Sequence, residues 1–281
     1  MTGVRRIRIG HSPDPDDAFM YYAIAQGKVD TAGYAVEQVL EDIESLNRRA
    51  LAGELEVTAI SIHAYAHLAD RYALMACGAS MGDGYGPIVV ARNAFVPNEL
   101  AGKTIAIPGT LTSAYLALRL YLGVEFPYIV VPFDEILDVV AAGRADAGLI
   151  IHEGQLTYAA QNLAKIVDLG VWWGAETGGL PLPLGGNAVR KDLGPDTVRA
   201  LTKMYKDSIA FGLANRAEAL AYAKAFGRGL DDGLNDRFVG MYVNDLTLDY
   251  GERGRCSIQR FLDAGTAAGL VPPVGTVTFV S

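Results

Sequence analysis

The stretch "GLIIHEGQLTY", residues Gly148 to Tyr158, ends an apolar run on His152, with Glu153 and Gly154 directly behind it. An apolar run closed by turn residues reads as a strand buried on both faces. A histidine at its end can take a proton from carbon next to a carbonyl near neutral pH, because imidazole titrates at about 6.5 and partial burial lowers that value. A packed core histidine bonded to a backbone carbonyl fits the same pattern. If the strand continues, Glu153 faces the other way.

Three further stretches carry candidate chemistry. In "PGTLTSAY", Gly109 precedes Thr110, Thr112 and Ser113 at an expected helix start, where free amides and the helix dipole suit an anion; a plain N-cap is the alternative, and the two are compatible. In "SPDPDDAF", Asp14 or Asp16 can cap a helix whose first turn accepts proline and acids. A hard-cation site from Asp14, Asp16 and Asp17 is the sharper alternative, but calcium needs six to eight oxygens and no twelve-residue loop is present. In "SIHAYAHLAD", His63 and His67 form an HxxxH pair without the glutamate of a zinc-protease helix, so His63 reads as a pocket wall or a packed helix-start side chain. "SMGDGYGP" runs into extended "IVVAR" and therefore reads as a close-approach loop. Trp172 and Trp173 read as lid or surface packing, with stacking on a bicyclic product as the alternative. GxSxG, Walker and Rossmann glycine signatures are missing, which removes the common hydrolase, nucleotidase and dehydrogenase readings.

The elements that must position these residues alternate. Strand-like "VRRIRIG", "VTAISI", "PIVVAR", "TIAIPG", "YIVVPF" and "AGLIIH" are interleaved with helical "DDAFMYYAIAQGKV", "IESLNRRALAGEL", "TSAYLALRLYL" and "FDEILDVVAAGRAD", the signature of parallel α/β architecture. After about Asn187 the pattern is mostly helical. An internal echo relates Arg48–Tyr65 to Asp138–Gln155: helix, glycine (Gly53, Gly143), an acid three residues on (Glu56, Asp146), apolar strand, histidine. Each glycine suits a left-handed helix end. With the glycines aligned, His63 matches Glu153 and His152 matches Ile62, so the histidines differ by one position. Two similarly wound lobes follow. Ligands in such sheets bind beyond the carboxyl ends of strands, where the chain delivers Asp14 and Asp17, Ser61 and His63, Gly109, Thr112 and Ser113, and His152: one cleft between two lobes.

At 281 residues the chain can hold two cores, and 24 basic against 32 acidic residues leave a net charge of −8. No basic footprint for nucleic acid or anionic lipid is present; a small molecule or a second copy of the chain is the expected partner. Cys77 and Cys256 are far apart and form no CxxC, so neither a disulfide framework nor a thiolate zinc site is implied. The first residues lack an apolar signal core and no run reaches membrane-spanning length, which points to the cytoplasm.

In order and spacing, "LEDIESLNRRALAGELEVTAIS", "GYGPIVVAR", "PGTLTSAYLALRLY", "FDEIL", "GRADAGLIIHEGQLTY", "VDLGVWWGAETGGLPLPLGG" and "YVNDLTLD" resemble the 1,4-dihydroxy-6-naphthoate synthases of the futalosine route to menaquinone. The resemblance covers nearly the whole chain. It implies a two-lobed α/β fold of the type II periplasmic-binding-protein kind, with residues 1–88 and 187–281 as lobe one and 89–186 as lobe two. It implies that His152 is the catalytic base, that Ser61, Thr112 and Ser113 line the pocket, and that cyclic dehypoxanthine futalosine is cleaved with no redox cofactor and no metal. The family's Ser-Pro-Cys-Pro-Asn-Asp-Thr-Phe reads "SPDPDDAF" here, with Asp14 for Cys, Asp16 for Asn and Ala18 for Thr. Two added carboxylates would repel an anionic ligand unless something compensates. The rival expectations are a small-carboxylate binding protein and a divergent paralogue acting on another carboxylated substrate.

Overall fold

The computed structural model describes residues 5–227 and 230–281; Val4, the first residue of the expected opening strand, lies outside them. Among the described residues one sheet contains seven strands: β1 (Arg6–His11), β2 (Ala35–Leu40), β3 (Val57–Ser61), β4 (Tyr72–Met75), β5 (Ser80–Gly82), β11 (Leu182–Arg190) and β12 (Phe279–Val280). A second has five: β6 (Ile88–Ala91), β7 (Ile105–Ile107), β8 (Tyr128–Val130), β9 (Ala147–Ile150) and β10 (Ala164–Asp168), in the order β10-β6-β9-β7-β8.

The expected parallel plan holds where a strand is followed by a crossover helix. β1 runs parallel to β2 and β3, and β7 runs parallel to β8 and β9. It fails for β6 and β11, each antiparallel to its neighbours. Both enter from the opposite sheet rather than through a βαβ unit, so the rule that makes such units parallel and right-handed does not bind them.

Helices α1 (Pro15–Ala25), α2 (Ile43–Ala52), α3 (Ile62–Tyr65), α4 (Ser113–Leu122), α5 (Ile136–Ala141), α6 (Gly154–Thr157) and α7 (Leu169–Thr177) alternate with strands. After β11 come α8 (Pro195–Ala214), α9 (Arg216–Ala223), α10 (Asp232–Tyr242), α11 (Asp245–Leu248) and α12 (Gly251–Ala267). α8, α9 and α10 pack on α1. α12 also reaches the other side: Phe261 meets Trp173 of α7 edge-on at 5.4 Å, and Trp173 Nε1 donates to Ser257 Oγ at 3.3 Å. Trp173 is thus core, not lid. Among the described residues no helix is long and apolar enough to cross a membrane.

The internal echo has a structural cause. Gly53 and Gly143 both sit at φ 72°, and the amides that follow them close the same helix-ending turn, Glu54 N to Arg49 O and Arg144 N to Val139 O, each at 3.0 Å. The acids that follow do the same work. Glu56 accepts the Arg8 amide of β1 at 3.0 Å, and Asp146 accepts the Thr104 amide just before β7 at 2.9 Å. Each carboxylate therefore ties the strand it precedes to that strand's parallel neighbour.

The glycine-rich loop is a close-approach segment, as its composition implies. A Cβ on Gly170 would overlap the Tyr85 carbonyl and the Gly86 amide, and one on Gly86 would come within 2.7 Å of Gly170 N. Backbone atoms cannot swing aside as a side chain does. Gly170→Ala should therefore cost about 1–3 kcal/mol of stability, read as a lowered melting temperature; an unchanged melting temperature would show that the two segments can separate freely.

Candidate active site

Strand ends from both sheets converge on one cavity of about 690 Å³, its mouth included. Ser12 and Asp17 come from the end of β1 and the start of α1, Ser61 from β3, Asn187 from β11, and Thr112, Ser113 and His152 from the second sheet's side.

His152 is held by an unusual backbone. β9 stops at Ile150, and His152 adopts φ 56°, a left-handed conformation that costs a non-glycine residue about 1–2 kcal/mol. The strand does not continue, so the expected alternation of His152 and Glu153 gives way to a sharp turn into α6. The turn swings the imidazole toward β1: Nδ1 lies 3.0 Å from Oδ2 of Asp14, whose side chain is fully buried. Phe133 packs edge-on against the ring at 4.6 Å between centroids. Nε2, on the far side, is buried and has no hydrogen-bond partner among the described residues. A carboxylate at Nδ1 favours a proton there and leaves Nε2 with its lone pair.

No other histidine of the chain is so placed. His11 is fully buried with both nitrogens engaged: Nδ1 lies 2.8 Å from Ser12 O, and Gln38 Nε2 lies 2.7 Å from Nε2; burial holds its pKa below the ordinary value. His63 is placed behind the cavity wall rather than in it. Its Nδ1 contacts Thr112 O at 3.1 Å, its ring stacks near Tyr115, and burial lowers its pKa to about 4. α3 begins directly after β3, so the chain rolls into a helix where the second copy of the echo turns left-handed. His67 is exposed.

The hydroxyls of α4 are committed to the protein. Thr112 caps the helix, accepting the Tyr115 amide at 3.2 Å, and donates to Gly109 O at 2.9 Å. Ser113 Oγ donates to Leu184 O and accepts the His63 amide. What this helix end offers a ligand is therefore the amides of Ser113 and Ala114, which precede the first intrahelical bond. Gly109 has a different role from ligand binding: a Cβ there would strike the Glu44 carboxylate, which accepts the Leu111 amide at 3.1 Å. Ser61 is fixed by Asn47, which accepts its amide at 2.8 Å and donates to its hydroxyl at 3.0 Å, leaving the hydroxyl proton uncommitted among the described residues.

The acids of "SPDPDDAF" divide their tasks. Asp14 occupies the N-cap position of α1 with Pro15 following, yet its side chain makes no capping bond; it faces His152 instead. Asp17 accepts both the amide and the hydroxyl of Ser12, at 2.9 and 2.7 Å, so it braces the β1–α1 turn. Asp16 lines the cavity. Among the described residues no group of three or more His, Cys, Asp or Glu side chains is arranged to hold a metal ion.

Several residues at the site carry no motif. Asn47, Gln155, Asn187 and Tyr242 are buried or half-buried polar groups on otherwise structural elements, and Gln155 Nε2 donates to Tyr242 Oη at 2.8 Å, linking α6 to α10. The signal that could have found Asn47 is its place on the apolar face of α2, where it is fully buried.

With this geometry described, similarity to known proteins becomes informative. The family described as menaquinone biosynthesis matches residues 7–267. A 1,4-dihydroxy-6-naphtoate synthase of Thermus thermophilus is 43% identical over 274 residues, covering 98% of this chain and 99% of that one. The synthase of the same name from Streptomyces coelicolor is 35% identical and covers 96% of each chain. A crystal structure of an Archaeoglobus fulgidus protein superposes with a TM-score of 0.90 at 47% identity, over 95% of this chain and 98% of that one. The alkanesulfonate-binding protein of Xanthomonas axonopodis superposes at a TM-score of 0.72 with 15% identity, over 99% and 98% of the two chains, which shows a shared fold. The architecture is the two-lobed α/β fold of periplasmic binding proteins.

The buried His63 makes stability depend on pH. Its folded pKa of about 4 lies below the ordinary 6.5, so between those values the unfolded chain binds the extra proton and stability falls as pH falls. The contribution is complete above pH 6.5, and about 3 kcal/mol of it is lost by pH 4. Urea unfolding of the protein and its His63→Gln variant at both pH values should show a loss larger by about that amount in the former, since buried His11 contributes in the same direction to both.

Proposed function

The chain belongs to the menaquinone-biosynthesis family, and from that membership we propose that it is a carbon–carbon lyase of the futalosine route, converting cyclic dehypoxanthine futalosine to 1,4-dihydroxy-6-naphthoate. The observation that carries the reading is the imidazole of His152, a residue that lines the cavity, with Nε2 buried and unpartnered among the described residues and Nδ1 against buried Asp14. The two free cysteines, Cys77 buried and Cys256 exposed, suit a reducing compartment, and we place the enzyme in the cytoplasm.

The substrate's carboxylate docks on the amides of Ser113 and Ala114 at the start of α4, with the Ser61 hydroxyl beside it. His152 Nε2 removes a carbon-bound proton. The imidazolium formed is stabilised by the Asp14 carboxylate, as in other buried carboxylate–histidine pairs. The electrons left on carbon expel the sugar-derived fragment, and formation of the second aromatic ring favours the products. Bonds between elements on either side of the cleft, Gln155 to Tyr242 and the Leu111 amide to Glu44, hold it shut and keep water from the carbanion.

Incubating the purified protein with cyclic dehypoxanthine futalosine should yield the naphthoate by mass spectrometry. His152→Asn should fold normally, since asparagine tolerates the left-handed backbone, while kcat falls by about 10² or more; near-normal turnover would remove His152 from the base role. Asp14→Asn should also lower kcat, by about 10² or more, because an amide donor at Nδ1 favours the wrong tautomer. Steady-state kinetics that showed an unchanged kcat would reduce Asp14 to packing.

A further inference from the structure

Of the carboxyl groups at the start of α1, two have evident work: Asp17 braces Ser12 and Asp14 faces His152. The remaining one, Asp16, is 7% exposed and lines the same cavity. Its Oδ2 accepts a long 3.3 Å bond from Ser80 Oγ of β5, while Oδ1 is buried with no hydrogen-bond partner among the described residues. An orphaned oxygen on a buried side chain has a desolvation cost that a ligand can relieve.

We propose that Asp16 is a substrate-recognition residue whose free carboxyl oxygen hydrogen-bonds an oxygen of the sugar-derived part of the substrate. This rests on the lyase reading and extends it to the half of the ligand that leaves. The cavity lining holds two unlike sets of groups. One is the N-terminus of α4, whose bare amides suit a carboxylate; the other is the acid cluster, which suits hydroxyl or carbonyl oxygens.

The groups that face Asp16 decide its state. On its own helix these are Asp14 and Asp17; from β5 comes the neutral Ser80 hydroxyl; from α10 comes the buried Tyr242 phenol; beyond β9 come His152 and Gln155. Among the described residues neither lysine nor arginine lines the cavity. Burial first, and then the charges of Asp17 and Asp14, push the Asp16 carboxyl well above its usual range. A neutral carboxyl both donates and accepts, so it serves a hydroxyl or a carbonyl without bringing a negative charge toward the substrate's own.

Steady-state kinetics on wild-type, Asp16→Ala and Asp16→Asn enzyme, with folding checked by thermal melting, tests the assignment. Asp16→Ala should raise KM by about tenfold or more with a smaller change in kcat, the usual effect of losing one buried hydrogen bond. Asp16→Asn, with the same shape, one donor and one acceptor, should recover most of that loss. Wild-type KM should rise with pH as Asp16 loses its proton, whereas KM of Asp16→Asn should not follow it. The naphthoate product lacks the departing fragment, so its inhibition constant should be unaffected by Asp16→Ala. An unchanged KM in Asp16→Ala, no recovery in Asp16→Asn, or equal weakening of product and substrate each overturns the role of Asp16 alone. Wild-type enzyme inert toward the substrate overturns the lyase reading and this assignment with it.

Discussion

Asp14 and His152 meet across the cleft, and that contact ties the strand ends of the two sheets together beside the cavity. A fully buried carboxylate is expensive without a nearby donor or positive charge. The imidazole from beyond β9 supplies a donor only when the two sheets' strand ends are brought together. In the apposed state a carboxylate lies at Nδ1, which favours the proton on that nitrogen and the lone pair on the other. Were the halves to part, Asp14 would regain water and Nδ1 would lose the group that fixes its proton. The other contacts around the cavity, Glu44 with the Leu111 amide and Gln155 with Tyr242, act in the same sense.

The left-handed backbone at His152 is the local cost of that arrangement. The echo of the first half shows what the chain would otherwise do: β3 runs through Ser61 straight into α3, and His63 ends in the wall. In the second half β9 ends one residue earlier in the aligned frame, and the chain reverses through His152 before α6 begins. Gly154 completes the turn, since a Cβ there would come within 2.6 Å of Ile150. Strain at a functional residue persists only when its surroundings over-determine it; here Phe133 packs on one side of the ring and Asp14 sits at its edge.

Much of this was legible in residue order. Alternating strands and helices, the paired glycines with their following acids, the capping threonine and the close-approach glycines all follow from local rules that need no tertiary context. What could not be read was direction. Asp14, Asp16 and Asp17 share one turn of helix, and composition alone makes them equivalent; only packing assigns one to a histidine, one to a serine and leaves one facing the cavity. From residue order Asp16 accordingly reads as a cap or cation ligand, while Asp17 reads as a ligand group at a strand end. Likewise Thr112 and Ser113 look like ligand hydroxyls until Gly109 O and Leu184 O are found to accept their protons. The reversed sense of β6 and β11 was hidden because a strand's sequence does not record which sheet the chain has just left.

Charge is where residue order and structure are most at odds, and the resolution is physical. Two extra acids in the first motif argue against an anionic ligand if they are charged. In the folded chain the cavity brings acids together with no lysine or arginine among the described residues, conditions that favour the protonated form of buried Asp16. Asp16 then presents a neutral hydrogen-bonding group beside the Asp14 carboxylate, and on the lyase reading the ion pair of Asp14 with protonated His152 arises only with proton transfer. On the lyase reading proposed above, the pair carries the charge of Asp14 alone before proton transfer, and the positive charge created by that transfer appears beside this carboxylate and offsets it. The acids that look prohibitive as a string of letters are thus compatible with the chemistry because the fold withholds water from them.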